Sequence, residues 1–277
     1  MSVNRKYKDS VFTKLFGEKE NLLELYNAIE NTNYDKNTPI EITTLENVLY
    51  MEQINDISFV IDGKIVVLIE HQSTINKNMP LRMFIYLAKI YEKMTDGDKG
   101  IYGTSRIEIP APEFIVLYNG KDEYPDKETL FLSGSYKEKG RKKFLDLEVQ
   151  VYNINKGRNP EIAAKSETLN GYETFIAEIR EYEKTMSREE AISKAVKDCI
   201  KRNILKGFLE KHSTEVVGML TREWNWDDAL RVREEEGMQQ GMRKKAEQTA
   251  RNLLNMGIDV NTIAKATGLF VDDILRL

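Results

Sequence analysis

Two acids and an amide lie in a stretch that is otherwise mostly apolar, DISFVIDGKIVVLIEHQS at residues 56–73. The stretch begins with Asp56 and places Glu70 and Gln72 near its end. Carboxylates held close together on a covered surface repel each other, and a divalent cation removes that conflict. Because such oxygen ligands suit Mg²⁺, these residues indicate a metal site if the fold brings them together on a covered face. On a solvated face they would be ordinary surface acids.

A β-hairpin is the element that could bring them together. Two strand-like runs, residues 54–61 and 65–72, flank Asp62 and Gly63, a dipeptide typical of hairpin turns. Successive strand residues point to opposite faces, so the apolar odd-numbered residues share one face and the even-numbered acids share the other. The face with the acids also carries apolar side chains, which indicates that it is covered: Val60, Val66 and Leu68.

The length of the turn decides which residues face each other. A two-residue turn would set Asp56 opposite Ile69, on the core side. A three-residue connection, residues 62–64, would set Asp56 opposite Glu70, with Cβ atoms about 4.5–5.5 Å apart. We predict the three-residue connection, with Gly63 in a left-handed or bulge conformation.

The composition argues against several other kinds of chemistry. The single cysteine, Cys199, excludes a disulfide framework or a cysteine-built zinc site within one chain. The only histidines are His71 and His212, too few for a histidine-metal nuclease. The sequence has neither a phosphate-binding G-x-x-x-x-G-K-[ST] loop nor a G-x-S-x-G nucleophile elbow. If the chain is an enzyme, its chemistry therefore depends on carboxylates.

Charge and hydropathy limit the setting of the protein. The net charge is −4, so a surface that binds DNA must be a local one. The sequence has neither a visible signal peptide nor an apolar run long enough to span a membrane. We therefore expect a cytoplasmic protein without membrane contact.

The 277 residues suit one large domain, or a core domain with a smaller one. Residues 1–165 mix strand and helix patterns, whereas residues 166–277 are helical almost throughout, and we place a domain boundary between them. The end of the chain has two short helices joined at Thr267-Gly268, similar to a helix-turn-helix. Outside the hairpin, periodicity predicts helices at 19–30 and 79–94 and strands at 40–51, 113–118 and 144–154.

Five stretches occur in order over residues 6–160: YKDSVFTKLFG, DGKIVVLIEHQS, MPLRMFIYLAKIY, PEFIVLYNG and LEVQVYNIN. Together they resemble the PD-(D/E)XK phosphodiesterase superfamily and, within it, the Rpn group of recombination-promoting nucleases and transposase relatives. Asn55-Asp56 and Glu70-His71-Gln72 stand at the positions of that superfamily's acid and acid-x-lysine motifs. The resemblance implies an α/β fold with a restriction-endonuclease-like core, a mixed central sheet flanked by helices, followed by an all-helical C-terminal region.

The resemblance also implies a set of site residues. Asp56 and Glu70 would bind Mg²⁺, with Mn²⁺ as a substitute, and the main-chain carbonyl of His71 would complete the inner shell. Gln72, the third catalytic candidate, stands where many relatives have lysine and can orient water or donate a neutral hydrogen bond. Glu24 is a candidate accessory acid.

Other candidates have a structural interpretation beside the functional one. The His71 side chain faces the apolar side of the hairpin and is interpreted as a packed core residue. Arg82 and Tyr86 share a helical face and could bind a DNA phosphate, or be a surface arginine and a half-buried tyrosine. Arg141 and Lys142, in the basic run KEKGRKK, could contact the DNA backbone or form a solvated turn.

The main hypothesis is a Mg²⁺-dependent DNA endonuclease that takes part in recombination or transposition. The alternative is a nuclease fold that binds DNA or regulates a mobile element with little or no catalysis. A transposase of the dispersed three-acid type is less favoured, since no third acid stands out. The C-terminal helices could read DNA or assemble a homo-oligomer, and the acidic helix FVDDILRL favours assembly.

Overall fold

The structure is a computed structural model that describes residues 10–43, 56–95, 99–138 and 140–277. These residues form a mixed six-stranded sheet with flanking helices, followed by a helical region. The helices are α1 (Val11–Phe16), α2 (Lys19–Glu30), α3 (Met79–Met94), α4 (Pro160–Ala163), α5 (Glu167–Tyr182), α6 (Arg188–Lys201), α7 (Lys206–Asn255), α8 (Val260–Thr267) and α9 (Val271–Ile274). The strands are β1 (Ile40–Ile42), β2 (Ile57–Ile61), β3 (Ile65–Gln72), β4 (Ala111–Tyr118), β5 (Lys127–Phe131) and β6 (Glu148–Asn153).

The sheet combines an antiparallel half with a parallel centre. Its strand order is β1-β2-β3-β4-β6-β5. The strands β1, β2 and β3 pair antiparallel, β3, β4 and β6 are parallel, and β5 returns antiparallel to β6. The carboxyl ends of the three parallel strands therefore meet at one edge of the sheet, where open α/β sheets bind ligands. The predicted fold class is confirmed.

The hairpin has the predicted three-residue connection. Ile61 pairs with Ile65, and Ile57 pairs with Ile69. Gly63 is left-handed at φ 68°, as predicted, and Asp62 before it also has a positive φ of 51°. One step further along this register, Asp56 is opposite residue 70.

Both faces of the hairpin are buried, as its apolar pattern predicts. On the face with the acids, Val66 and Leu68 pack with Met83, Tyr86 and other residues of α3 in one apolar cluster. This helix follows β3 and has Pro80 in its first turn, where the missing N–H costs no helical hydrogen bond. The helix α3 thereby covers the face with the acids and brings its own polar residues to the end of β3.

The opposite face packs on α1 and α2, which precede the strands in the sequence, and on α5, which follows them. Tyr26 of α2 contacts Phe59 of β2 edge to face, at 6.1 Å between ring centroids. Phe12 of α1 and Tyr172 of α5 both contact the His71 ring, at 4.6 Å and 5.7 Å between centroids. The helix α5 is thus part of the core around the sheet, although the sequence predicts a boundary before it.

Two compact units divide the chain, Met1–Glu223 and Trp224–Leu277. The helices α5 and α6, which follow the boundary predicted after residue 165, lie in the first unit. The second unit has a small apolar core: Ala250, Ile263 and Ile274. Within it, α8 ends at Gly268 in a left-handed conformation (φ 74°), so the predicted pair of short helices around Thr267-Gly268 is present.

Two strands differ from the prediction. The run 144–154 forms a strand only from Glu148, and Leu145, before the strand, is 47% exposed. The strand β5 was not predicted, because KETLF is short and polar and pairs only with β6 at the sheet edge. Part of the predicted strand 40–51, and Asn55, lie outside the described residues. Among the described helices, none is long and apolar enough to cross a membrane.

Candidate functional site

Asp56 and Glu70, called the carboxylate pair below, are joined by hydrogen bonds at the open end of the hairpin. The main-chain N–H of Asp56 donates to Oε1 of Glu70 at 3.1 Å. The main-chain N–H of His71 donates to Oδ2 of Asp56 at 2.8 Å. Glu70 is 2% exposed. The three-residue turn therefore brings together the two acids that the sequence singles out.

Arg82 of α3 forms an ion pair with the buried acid. Its Nη2 lies 2.9 Å from Oε2 of Glu70. The hydroxyl of Tyr86, one helical turn later, accepts from Nε and Nη2 of Arg82 at 3.3 Å and 3.0 Å. Burial acts to lower the pKa of Arg82, but Glu70 and Tyr86 outweigh it and the pKa is raised. Arg82 therefore neutralises Glu70 here, and its predicted DNA contact stays a prediction.

Gln72 lies on the same strand face as Glu70, two residues further on. Its side-chain amide contacts Sδ of Met79, at the start of α3. Its main-chain carbonyl accepts from the N–H of Asn119, just after β4, at 2.8 Å. Gln72 thus holds the carboxyl end of β3 against β4, and its side-chain amide is directed to the start of α3.

His71 is packed as predicted. Its ring stacks on Phe12, and Nε2 lies 3.1 Å from the hydroxyl of Tyr172. Burial lowers the pKa of His71 to about 4, so the ring is neutral near pH 7 and is unsuited to act as a general acid there. The main-chain N–H of His71 points to Asp56, and because the N–H and C=O of one strand residue point to the same side, its carbonyl is directed there too.

Glu24 has a structural contact at another place. Its Oε1 and Oε2 accept from the main-chain N–H and the hydroxyl of Thr168, at 2.9 Å and 3.0 Å. Thr168 lies in the first turn of α5, where a carboxylate satisfies free N–H groups and complements the helix dipole. Glu24 therefore ties α2 to α5, and its role as an accessory acid stays a prediction.

The other two DNA-backbone candidates are on the exposed loop between β5 and β6. Nη1 of Arg141 lies 3.2 Å from Oε2 of Glu138. Nζ of Lys142 lies 5.0 Å from the ring centroid of Phe144, which is 87% exposed. The described residues of the basic run, 137–138 and 140–143, thus lie in a surface loop, as the composition indicates.

The donor set is suited to a hard cation. Two carboxylates and a main-chain carbonyl offer only oxygen, which Mg²⁺ and Mn²⁺ prefer. Within the described ranges, no group of three or more His, Cys, Asp or Glu side chains could hold a metal ion. Such an ion would therefore depend on Asp56, Glu70 and the carbonyl of His71, with water completing its shell, and would share Glu70 with Arg82.

One residue near the carboxyl ends of the parallel strands, Arg180, is not singled out by any sequence pattern. Arg180 of α5 donates to the carbonyl and Oδ1 of Asn119 and to Oδ1 of Asn155, between the ends of β4 and β6. Its only sequence signal is a lone arginine directly after Ile179 in an apolar helical stripe. A basic residue beside such a stripe is more often a solvated one.

A mixed sheet in which an antiparallel hairpin presents two acids beside a parallel centre is consistent with the core that the resemblance to the PD-(D/E)XK superfamily implies. A family model described as "Putative transposase, YhgA-like" matches residues 45–204, more than half of the chain. The chain belongs to this family, and the resemblance inferred from its motifs is confirmed. Neither the curated proteins nor the solved structures contain a match.

Proposed function

We propose that the protein hydrolyses phosphodiester bonds of DNA with the aid of Mg²⁺ or Mn²⁺, during recombination or transposition. The observation that supports this most is the carboxylate pair, joined by the hydrogen bonds of Asp56 and His71 at the carboxyl end of β3. Membership of a transposase-like family is consistent with DNA as the substrate.

Each residue has a distinct role in this proposal. Asp56, Glu70 and the carbonyl of His71 would hold the ion. When bound, such an ion supplies polarisation of a phosphate oxygen and lowers the pKa of a coordinated water. Gln72 would orient the attacking water through its neutral amide. Arg82, 2.9 Å from Glu70, would supply the positive charge that a lysine supplies in many relatives.

Cleavage of plasmid DNA by matched variants tests the proposal. Asp56→Asn and Glu70→Gln keep the size of each side chain and remove its charge, so cleavage in Mg²⁺ should fall to background. Glu92→Gln removes an exposed acid of α3 and should cleave like the wild type. Equal cleavage by all four proteins would refute the assignment, because a contaminating nuclease would then explain the activity.

A second candidate, a DNA-binding module without catalysis, is favoured by one observation. Arg82 forms an ion pair with the buried Glu70, so the charge of this acid is offset without a metal ion. Thermal unfolding during a Mn²⁺ titration separates the candidates. If the site binds the ion, the free energy of unfolding should rise by about 2.7 kcal/mol when the Mn²⁺ concentration is one hundred times Kd. Asp56→Asn should abolish this rise. A wild type that binds DNA but shows no metal-dependent shift supports the second candidate.

A further inference from the structure

A polar cleft of about 780 Å³ lies at the carboxyl ends of β4 and β6, beside α5. It is on the same sheet edge as Gln72 and is separate from the residues assigned above. The lining residues that matter here are Gly120, Asn155, Lys156 and Arg180.

Arg180 is held in the cleft by neutral oxygens. Its Nη2 donates to the carbonyl and Oδ1 of Asn119 at 2.6 Å and 3.0 Å, and Nη1 donates to Oδ1 of Asn155 at 2.5 Å. Among the described residues, no carboxylate forms an ion pair with Arg180, and its Nε–H has no acceptor. A guanidinium that is fixed but not neutralised is suited to receive an anion.

The two asparagines are themselves fixed. Asn119 is 4% exposed, and its side chain donates to the carbonyl of Ile154 at 3.1 Å. The side chain of Asn155 donates to the carbonyl of Gly120 at 3.1 Å. The position of Arg180 is therefore set by the ends of β4 and β6 and needs no ligand to form.

The acids on the α5 side of the cleft have cationic partners. Glu181 pairs with Lys184 at 2.6 Å, and Glu183 pairs with Arg188 at 2.7 Å. The two remaining acids of the cleft are on the exposed loop after β4. Lys156 is exposed, and none of the ion pairs between described residues involves it. It therefore adds a second available cation to the cleft.

The cleft begins where β3 ends. Asn119 donates its main-chain N–H to the carbonyl of Gln72, and a Cβ added to Gly120 would lie 2.1 Å from the carbonyl oxygen of Ser73. Two strand spacings of about 4.8 Å separate β3 from β6, which corresponds to roughly three nucleotides of rise along a DNA strand.

We propose that this cleft binds a phosphate group of the DNA strand a few nucleotides from the bond that is cut, with Arg180 and Lys156 as the contacting cations. This inference rests on the proposed function, since it places the substrate of the carboxylate pair. The second N–H of Arg180 Nη1 and the ammonium group of Lys156 can each donate to a phosphate oxygen. Such contacts fix the register of DNA without reading its sequence.

DNA binding without metal tests the cleft independently of cleavage. Fluorescence anisotropy with a short labelled duplex in EDTA would measure affinity over a range of salt. Lys156→Gln should weaken binding roughly five- to tenfold near 0.1 M salt and reduce the salt slope by about 0.9. Arg180→Lys keeps the charge but loses the hydrogen bonds to Asn119 and Asn155 that fix the guanidinium, so it should weaken binding with little change of the salt slope. Lys197→Gln, on the exposed face of α6, is the matched control and should bind like the wild type.

The outcomes separate this inference from the proposed function. A wild type that binds through the cleft but never cuts DNA contradicts the hydrolysis and supports the cleft. A wild type that cuts DNA, with Lys156→Gln and Arg180→Lys binding as it does, overturns the cleft, as does a wild type that does not bind DNA in EDTA. Competition with inorganic phosphate and with a nucleoside monophosphate shows whether the cleft binds the phosphate of a DNA strand or that of a small molecule. A mononucleotide that needs Arg180 while DNA does not also overturns the proposal.

Discussion

Replacing Arg82 with methionine should lower the free energy of unfolding by about 3 kcal/mol. Glu70 is 2% exposed, and its Oε2 would lose the partner that lies 2.9 Å away. Removing one member of a buried ion pair leaves the other as an uncompensated charge, which costs about 3–5 kcal/mol. We take the lower value because 30% of the Arg82 side chain is exposed, so water can partly solvate Glu70 when the guanidinium is removed. Methionine keeps the apolar stem, so the measurement reports the loss of the guanidinium, with its charge and its hydrogen bonds to Tyr86.

A double-mutant cycle isolates this interaction. In a Glu70→Gln background the buried charge is absent, and Arg82→Met should then cost less than about 1 kcal/mol. Urea unfolding of the four proteins in metal-free buffer gives the coupling energy. If Arg82→Met costs the same in both backgrounds, the ion pair contributes nothing measurable, and Arg82 acts through Tyr86 or through packing.

Glu173→Gln should stabilise the protein at alkaline pH by up to about 4 kcal/mol. Glu173 of α5 is 3% exposed, and burial raises its pKa from 4.5 to about 8, with Lys156 opposing the shift. Between these two pH values the folded state keeps a proton that the unfolded chain has released. The free energy of unfolding of the wild type therefore falls as the pH rises through this window, and glutamine removes the fall.

Urea unfolding at a series of pH values would test this. The curves of wild type and Glu173→Gln should diverge steadily from about pH 4.5 to pH 8. Glu181→Gln, which removes an exposed acid of the same helix, should follow the wild type. His71 has the opposite dependence: its pKa is lowered to about 4, so its contribution is lost as the pH falls from 6.5, equally in all three proteins. Parallel curves for wild type and Glu173→Gln above pH 5 would exclude a buried proton on Glu173.

The carboxylate pair could be predicted because its determinants are local. Alternation of side chains places Asp56 and Glu70 on one face, and Asp62-Gly63 allows the left-handed turn that opposes them. The helices near 19–30 and at 79–94 could likewise be predicted, because each has a long apolar stripe bounded by turn residues or proline.

The partners of these residues could not be predicted, because they come from distant segments. Arg82 binds Glu70 only because α3 crosses the end of β3. Glu24 meets Thr168 across 144 residues, so nothing near it in the sequence distinguishes a helix cap from a catalytic acid. Arg180 depends on asparagines that follow two separate strands. Contacts of this kind depend on the tertiary fold and leave no periodic signal.

The length of the connection at residues 62–64 sets the face of the hairpin on which each side chain of β3 lies. Adding or removing two residues would return every later side chain to its original face, whereas a change of one would exchange the faces of β3. Asp56 would then face Ile69, and Glu70 would point into the apolar core under α1, α2 and α5. Descendants of this gene can therefore vary the composition of the turn more freely than the parity of its length.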